Sequence, residues 1–384
     1  MVDLSLTNKG HTAIIALCPF LLFIMTKRIG FACKWIDRPD QVDGISPKDD
    51  CKKYNTGATT VSWLNRQSKD VAVEKLWSLV KQNIESTRLL VERVGNLDNE
   101  LRMVRLSSDL LPVYTQRDWC WFWRQADVQD YASKHFREVG DIARARNVRL
   151  SFHPGQFTVL ASDNADIVQR SIEEFEYHAD MVRWMGYGTS FQDFKINVHI
   201  AGRAGPAGIK AALRRLSPEA RNCITIENDE ISWGIDASLE LANDLALVLD
   251  IHHHWIHTGE YIEENDDRIK RIIDSWRGVR PVIHYSVSRE NLLGEHPGHT
   301  RPALQALLES GHKKAKLRAH SNFYWNDAVN SWAATHWQWA DVMCESKAKN
   351  LASFELHKYF TGVSNEKSNL SKDKQSNSLL TEIT

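Results

Sequence analysis

Six short apolar runs in this chain of 384 residues each end in a side chain able to bind a metal ion. They are VRLSF followed by His153, KINVHI with His199 near its end, CITIE ending at Glu227, ALVLD ending at Asp250, PVIHY with His284, and DVMCE ending at Glu345. A single His or carboxylate in such a place is most simply a polar strand end, but six in succession ask for a common cause. A second concentration follows at once: LVLDIHHHWIH, Leu247–His257, carries His252, His253, His254 and His257 behind Asp250. Imidazole can bind metal, relay a proton or fill a polar corner, so this cluster decides nothing by itself.

Something must bring these residues together. With RIGFAC (28–33) and LRMVRLS (101–107), the apolar runs number eight, the others being 148–152, 195–200, 223–227, 246–250, 281–285 and 341–345. Each is short and rich in Val, Ile and Leu, as buried parallel strands are. Amphipathic stretches at 72–94, 128–146, 165–184, 209–216, 236–243 and 266–276 read as helices between them. Eight strands alternating with helices predict an α/β fold, a single-domain (β/α)8 TIM barrel over residues 27–360. In that fold the active site lies at the carboxyl ends of the strands.

In such a barrel the six strand ends face one another. Repulsion among Glu227, Asp250 and Glu345 then calls for a cation, and two or three divalent ions are the economical answer. His and carboxylate ligands without thiolates suit Zn²⁺, Mn²⁺ or Fe²⁺. Clusters of this kind activate water and clamp the attacking and leaving oxygens of phosphate esters. A metal-dependent sugar isomerase or epimerase on a similar barrel is the alternative.

Composition sets further bounds. Hydrophobic residues make up 42% and charged residues 25%, a globular balance, and the net charge of −1 leaves any nucleic-acid surface to local patches. Six scattered cysteines without a CxxC pair point to a reducing compartment and hence a cytoplasmic protein. The apolar run Thr12–Thr26 is shorter than the ~20 residues that span a bilayer, and no small-residue cleavage site follows it. Residues 1–26 therefore read as an extension outside the domain, with Met25 as an alternative start. Residues 361–384, rich in Ser, Asn and Lys, read as a disordered tail, and no membrane partner is expected.

RIGFAC, NTGATTVSW, RLSSDLLP, SFHPGQF, NVHI, ITIEND, LDIHHHWIH, VIHYS, RAHSNF and DVMCESKAKNLA occur in the order seen in the ultraviolet damage endonuclease (UvsE/UVDE) family, which the chain resembles over residues 27–355. The resemblance implies a barrel similar to endonuclease IV and a divalent cluster, Mn²⁺ foremost, with Zn²⁺ and Mg²⁺ as alternatives. It implies nicking of damaged double-stranded DNA on the 5′ side of ultraviolet photoproducts (cyclobutane dimers and 6-4 products) and at abasic sites, by metal-activated water. A monomer is expected, nucleoid-associated in the cytoplasm if the source is bacterial. Carried over residue by residue, His153, His199 and Glu227 make one metal site, and Glu227 bridges to a second ion on Asp250, His284 and Glu345. His253 and His320 hold a third, and Glu227, His199 and Glu345 are the catalytic set. Gln156 and Phe157 match the pair that probes the distorted duplex, Phe157 replacing a tyrosine. Val282 stands where relatives carry a metal-serving lysine, so weaker occupancy is expected at the third site.

Other stretches carry weaker expectations. RAGPAG (203–208) is either a phosphate-receiving loop or an ordinary barrel turn, and GEHPGHTRP (294–302) reads as a structural loop. Arg28, Lys34, Arg102 and Arg105 are candidates for local positive charge, while Lys347 and Lys349 either steady the carboxylates or cap the strand exit. His252 and His254 are expected to support the ligands or face DNA, and His257 to lie in a loop.

Overall fold

The computed structural model describes residues 26–39 and 50–362; the apolar run before Thr26 and the tail from 363 onward lie outside the described residues. Eight parallel strands close into a barrel in chain order: β1 (Ile29–Ala32), β2 (Met103–Arg105), β3 (Arg149–Phe152), β4 (Lys195–His199), β5 (Ile224–Glu227), β6 (Ala246–Asp250), β7 (Val282–Tyr285) and β8 (Asp341–Cys344). The ring is sealed by β1 against β8, with Ile29 opposite Val342 and Phe31 opposite Cys344. All eight strands form where the apolar runs predict them.

Strand alternation sorts the barrel into layers. Ile196, Val198, Ile224, Ile226, Leu247, Leu249, Ile283 and Val342 face outward into the main core beneath the helices. The intervening residues face inward. An apolar plug of Met103, Ala246, Val248, Val282 and Met343 fills the barrel and packs on Trp276. Gly30 belongs to this crowding, because a Cβ there would lie 2.7 Å from the Met103 carbonyl oxygen. One pleat further along, toward the carboxyl ends, the inward positions become polar.

At the amino-terminal end, fully buried Asp341 gathers three arginines. Arg149 Nη1 reaches Asp341 Oδ2 at 2.7 Å, Arg280 Nε reaches Oδ1 at 2.7 Å, and Arg28 adds its backbone N–H at 2.9 Å and its guanidinium at 3.8 Å. Arg28 is thus a latch on the barrel floor, and Arg102 donates to the Leu97 carbonyl. A second latch joins the chain's ends, since Asn350 bonds both the N–H (2.9 Å) and the carbonyl (2.8 Å) of Ile36.

Besides several short helices of four to six residues, two longer ones lie outside the stretches that periodicity marks and bear on the site. Ile251–Thr258 is helical, capped by Asp250, whose Oδ1 accepts from His253 N at 2.7 Å. His257 therefore belongs to a helix end and not a loop. His252 through Ile256 are all buried, so no polar face marks the helix in the sequence. Lys349–Thr361 is the other, starting directly behind the last strand.

Candidate active site

The residues at the carboxyl mouth are placed by strand register. In β4, Lys195, Asn197 and His199 share the inward face, and in β5 Thr225 and Glu227 do the same, with His199 directly opposite Glu227. Glu227 is the hub and is fully buried. His153 Nε2 lies 3.3 Å from its Oε2, His284 Nδ1 3.1 Å from Oε2, and His253 Nδ1 3.3 Å from Oε1, while the Asn197 amide donates to Oε2. Three groupings of ligand atoms surround it: His153, Glu227 and His284; His199, Glu227 and His253; and Glu227, Asp250, His284 and Glu345.

Electrostatics distinguish the carboxylates. Burial pushes Glu227 up, but the imidazoles of His284 and His199, with close His153 and His253, outweigh it and hold the group well below the usual carboxylate range. Glu345 is likewise held low against burial by Arg105, with which it is in contact, and by His284. Asp250 goes the other way: burial raises it well above its ordinary value against the pull of His253, and repulsion from Glu227 and Glu345 adds to the rise. Glu227 Oε1, Asp250 Oδ2 and His284 Nδ1 are all buried without a hydrogen-bond partner. Buried polar atoms are normally satisfied, so three orphans converging on one point fit a cationic ligand of the His/carboxylate type.

Backbone carbonyls orient the imidazoles. A carbonyl only accepts, so the ring nitrogen facing it carries the proton and the other is left as a donor of electrons. His153 Nδ1 faces Pro154 O at 3.0 Å, His253 Nδ1 faces Asn228 O at 3.1 Å, and His320 Nδ1 faces Glu345 O at 2.9 Å. His320 falls in none of the groupings, its ring packing instead against His252. His253 adjoins Glu227 and, through Nε2 at 3.6 Å, Glu230. The structure thus draws His253 into the Glu227 cluster, where the resemblance pairs it with His320.

Several neighbours were not apparent from strand ends. Lys195 is buried, with Nζ 2.9 Å from His284 Nε2, and burial brings its ammonium down to about 7. Val282 lies one pleat below His284 in the apolar plug, so the amine beside this cluster comes from β4. Asp229 Oδ2 sits 3.4 Å from His199 Nδ1, and His199, Asp229 and Glu230 form a fourth grouping. Both acids follow Glu227 in IENDE, beyond the end of the strand.

The remaining expectations resolve plainly. Gln156 and Phe157 lie on the loop after β3, Phe157 86% exposed. Gln156 lines a cavity of about 230 Å³ shared with His199, while Phe157 borders one of about 700 Å³ with Asp109 and Arg117. His252 is buried and bonds Leu317 O at 3.2 Å, and His254 is buried and bonds Glu260 at 3.0 Å, so both are closed off from solvent. In RAGPAG, Gly208 packs on Ala161 and Gly205 on Trp233, and Arg203 pairs with Asp163. These glycines serve close packing. His296 and the loop around it pack on Trp325 and Asn326 as a structural element. Lys349, at φ 51°, opens the last helix near Glu345.

The family model for UV-endonuclease UvdE matches residues 28–373. The chain belongs to the UvdE family. Within it, this UvdE chain is 25% identical over 317 residues to a UV DNA damage endonuclease of Bacillus cereus (strain B4264), covering 80% of this chain and 89% of the relative. It is 30% identical over 299 residues to the UV-damage endonuclease of Schizosaccharomyces pombe, covering 74% of this chain and 44% of that longer protein. The crystal structure of SacUVDE superposes with a TM-score of 0.65 at 21% identity, covering 88% of the UvdE chain and 98% of SacUVDE, a likeness of fold.

Proposed function

We propose that this UvdE protein is a metal-dependent DNA-repair endonuclease that nicks the duplex on the 5′ side of ultraviolet photoproducts, and also at abasic sites. The observation that carries the reading is the convergence of Glu227, Asp250 and His284, each with an orphaned buried polar atom, below a mouth whose rim presents Phe157 to solvent. His153, His199, Glu227, Asp250, His253, His284 and Glu345 would hold a divalent cluster, Mn²⁺ by preference, with Glu227 shared between ions and His320 oriented alongside. Such ions supply activation of water and neutralisation of the charge that develops on the leaving oxygen.

The chain's own residues do the rest. Asn197 and the surrounding imidazoles keep Glu227 ionised, and Arg105 does the same for Glu345. Gln156 and Phe157 would enter the space left by a damaged, poorly stacked base, whose extrusion costs only a few kcal/mol. Stacking by Phe157 needs only its ring face. Among the described residues no helix is long and apolar enough to cross a membrane. We place the protein in the cytoplasm as a monomer acting on damaged duplex.

The test uses supercoiled plasmid, irradiated or not, with Mn²⁺. Nicking confined to irradiated DNA and lost in Glu227→Gln is the expected result. Equal nicking of both plasmids, or no nicking with turnover of a ketose, would refute the reading.

A further inference from the structure

Large apolar side chains standing well out into solvent are few among the described residues: Val71, Phe157 and Ile231. Val71 is on the outer helix Lys69–Gly95. Phe157 and Ile231 are both at the mouth, on the loops after β3 and β5, and Ile231 is 67% exposed. One exposed isoleucine is ordinary and means little alone. What sets Ile231 apart is the way its loop is held.

Asp229 Oδ1 accepts from Ile231 N at 2.8 Å and from Ser232 N at 2.6 Å, fixing a tight turn with Ile231 at its tip. The other oxygen of the same carboxylate lies 3.4 Å from His199 Nδ1. Behind the turn, Asp229 N bonds Trp233 O at 2.9 Å, and Trp233 Nε1 donates to Gly202 O at 2.8 Å. The tip is therefore tied to a candidate metal ligand on one side and to the loop after β4 on the other. Ordering such a loop costs conformational entropy, which its polar contacts must offset.

Barrel order places β4 between β3 and β5, so their loops rise on the two sides of His199. Between them is the cavity of about 230 Å³, with Gly155 and Gln156 along one wall, His199 and Ala201 between, and Glu230 and Ile231 along the other. Because His199 belongs to the ligand cluster, these walls flank an approach to it from the mouth.

We propose that Ile231 is a third DNA-probing residue, which meets the damaged duplex from the wall opposite Gln156 and packs its side chain on the face of the extruded nucleotide. The inference rests on the DNA-nicking reading above. Its contribution is apolar and indifferent to which base is presented, and so adds affinity for unstacked nucleotides over stacked ones.

The experiment compares the full chain with Ile231→Ser and Ile231→Leu, using Mn²⁺ and an irradiated duplex carrying 2-aminopurine beside the lesion. Ile231→Ser is expected to raise KM about tenfold, the effect of leaving that apolar surface in water. Its kcat should stay within about twofold, its Tm unchanged, its 2-aminopurine signal reduced, and Ile231→Leu should restore all of these. Unaltered KM and fluorescence in Ile231→Ser, or a loss confined to kcat, would overturn the proposal while leaving nicking by the unaltered chain intact. Failure of the unaltered chain to nick irradiated DNA would remove the nicking reading and this inference together.

Discussion

Lys195 Nζ lies 2.9 Å from His284 Nε2 in the centre of the barrel, both side chains closed off from solvent. The contact steers the other ring nitrogen, Nδ1, toward Glu227 and Glu345 at 3.1 and 3.3 Å. Groups that orient a ligand in this way contribute to metal affinity without touching the ion. For Nδ1 to bind a metal, Nε2 must carry the ring proton and donate it to Lys195 as a neutral amine; Lys195→Met keeps the volume and removes that acceptor. About 10- to 100-fold weaker Mn²⁺ binding is expected, with a Tm at or above that of the unaltered chain, because a buried polar amine is replaced by an apolar group. Calorimetric titration and thermal melts check both.

Asp250 supplies a complementary test. Its carboxyl is raised well above the ordinary range by burial and by Glu227 and Glu345, which favours the neutral form in the metal-free protein. Asparagine is neutral too and keeps the helix cap that Asp250 provides to His253 N. Asp250→Asn should therefore melt close to the unaltered chain in chelator. At Mn²⁺ about 100-fold above its Kd the unaltered chain should gain about 2.7 kcal/mol and several degrees in Tm. The variant should lose most of that gain, and an undiminished shift would remove Asp250 from the ligand set.

Acid sensitivity follows from histidines away from the cluster. His178 is buried, its Nδ1 bonded to Glu174 O at 2.8 Å and its Nε2 without a partner, and burial lowers it to about 4. His336, bonded to Ile262 O, is lowered to about 4 by the same cause. Between these values and about 6.5 the unfolded chain binds the proton and the folded one does not. The stability is complete above about 6.5 and is lost as pH falls toward 4, each histidine removing about 2 kcal/mol by pH 5. The double variant His178→Gln, His336→Gln should show a shallower fall of Tm from pH 7 to 5. An identical slope would assign the sensitivity elsewhere.

The floor of the barrel is a place where one substitution should cost the fold much of its stability. Asp341→Ala leaves Arg28, Arg149 and Arg280 facing one another without their shared carboxylate. Breaking a buried ionic group by removing one partner costs about 3–5 kcal/mol. Denaturant melts should show a loss of that size, against less than about 1 kcal/mol for a substitution such as Arg203→Ala in an exposed pair.

The barrel was legible because its strands alternate cleanly between an outward apolar face and an inward one, and because six inward faces end on ligand types. The same alternation, run backward from His199 through Asn197 to Lys195, would have exposed the buried lysine; a lysine at a strand start reads instead as a solvated end. The Ile251–Thr258 helix escaped because burial on every side leaves no periodic polar face. Asp229 and Glu230 escaped because their roles depend on the loop turning back over His199, which no local pattern encodes.

The seal between β1 and β8 sets an order of events during synthesis. The first strand's partner includes Met343 and Cys344, and Ile36 waits for Asn350, 314 residues further on. Domains acquire structure from the amino terminus as they leave the ribosome, yet here the leading strand keeps an open edge until almost the whole barrel has emerged. Glu345 arrives with that closing strand, and so does the aspartate that gathers the three arginines. A nascent chain therefore carries no assembled cutting centre, and a message truncated before this point yields a barrel with an unsealed side.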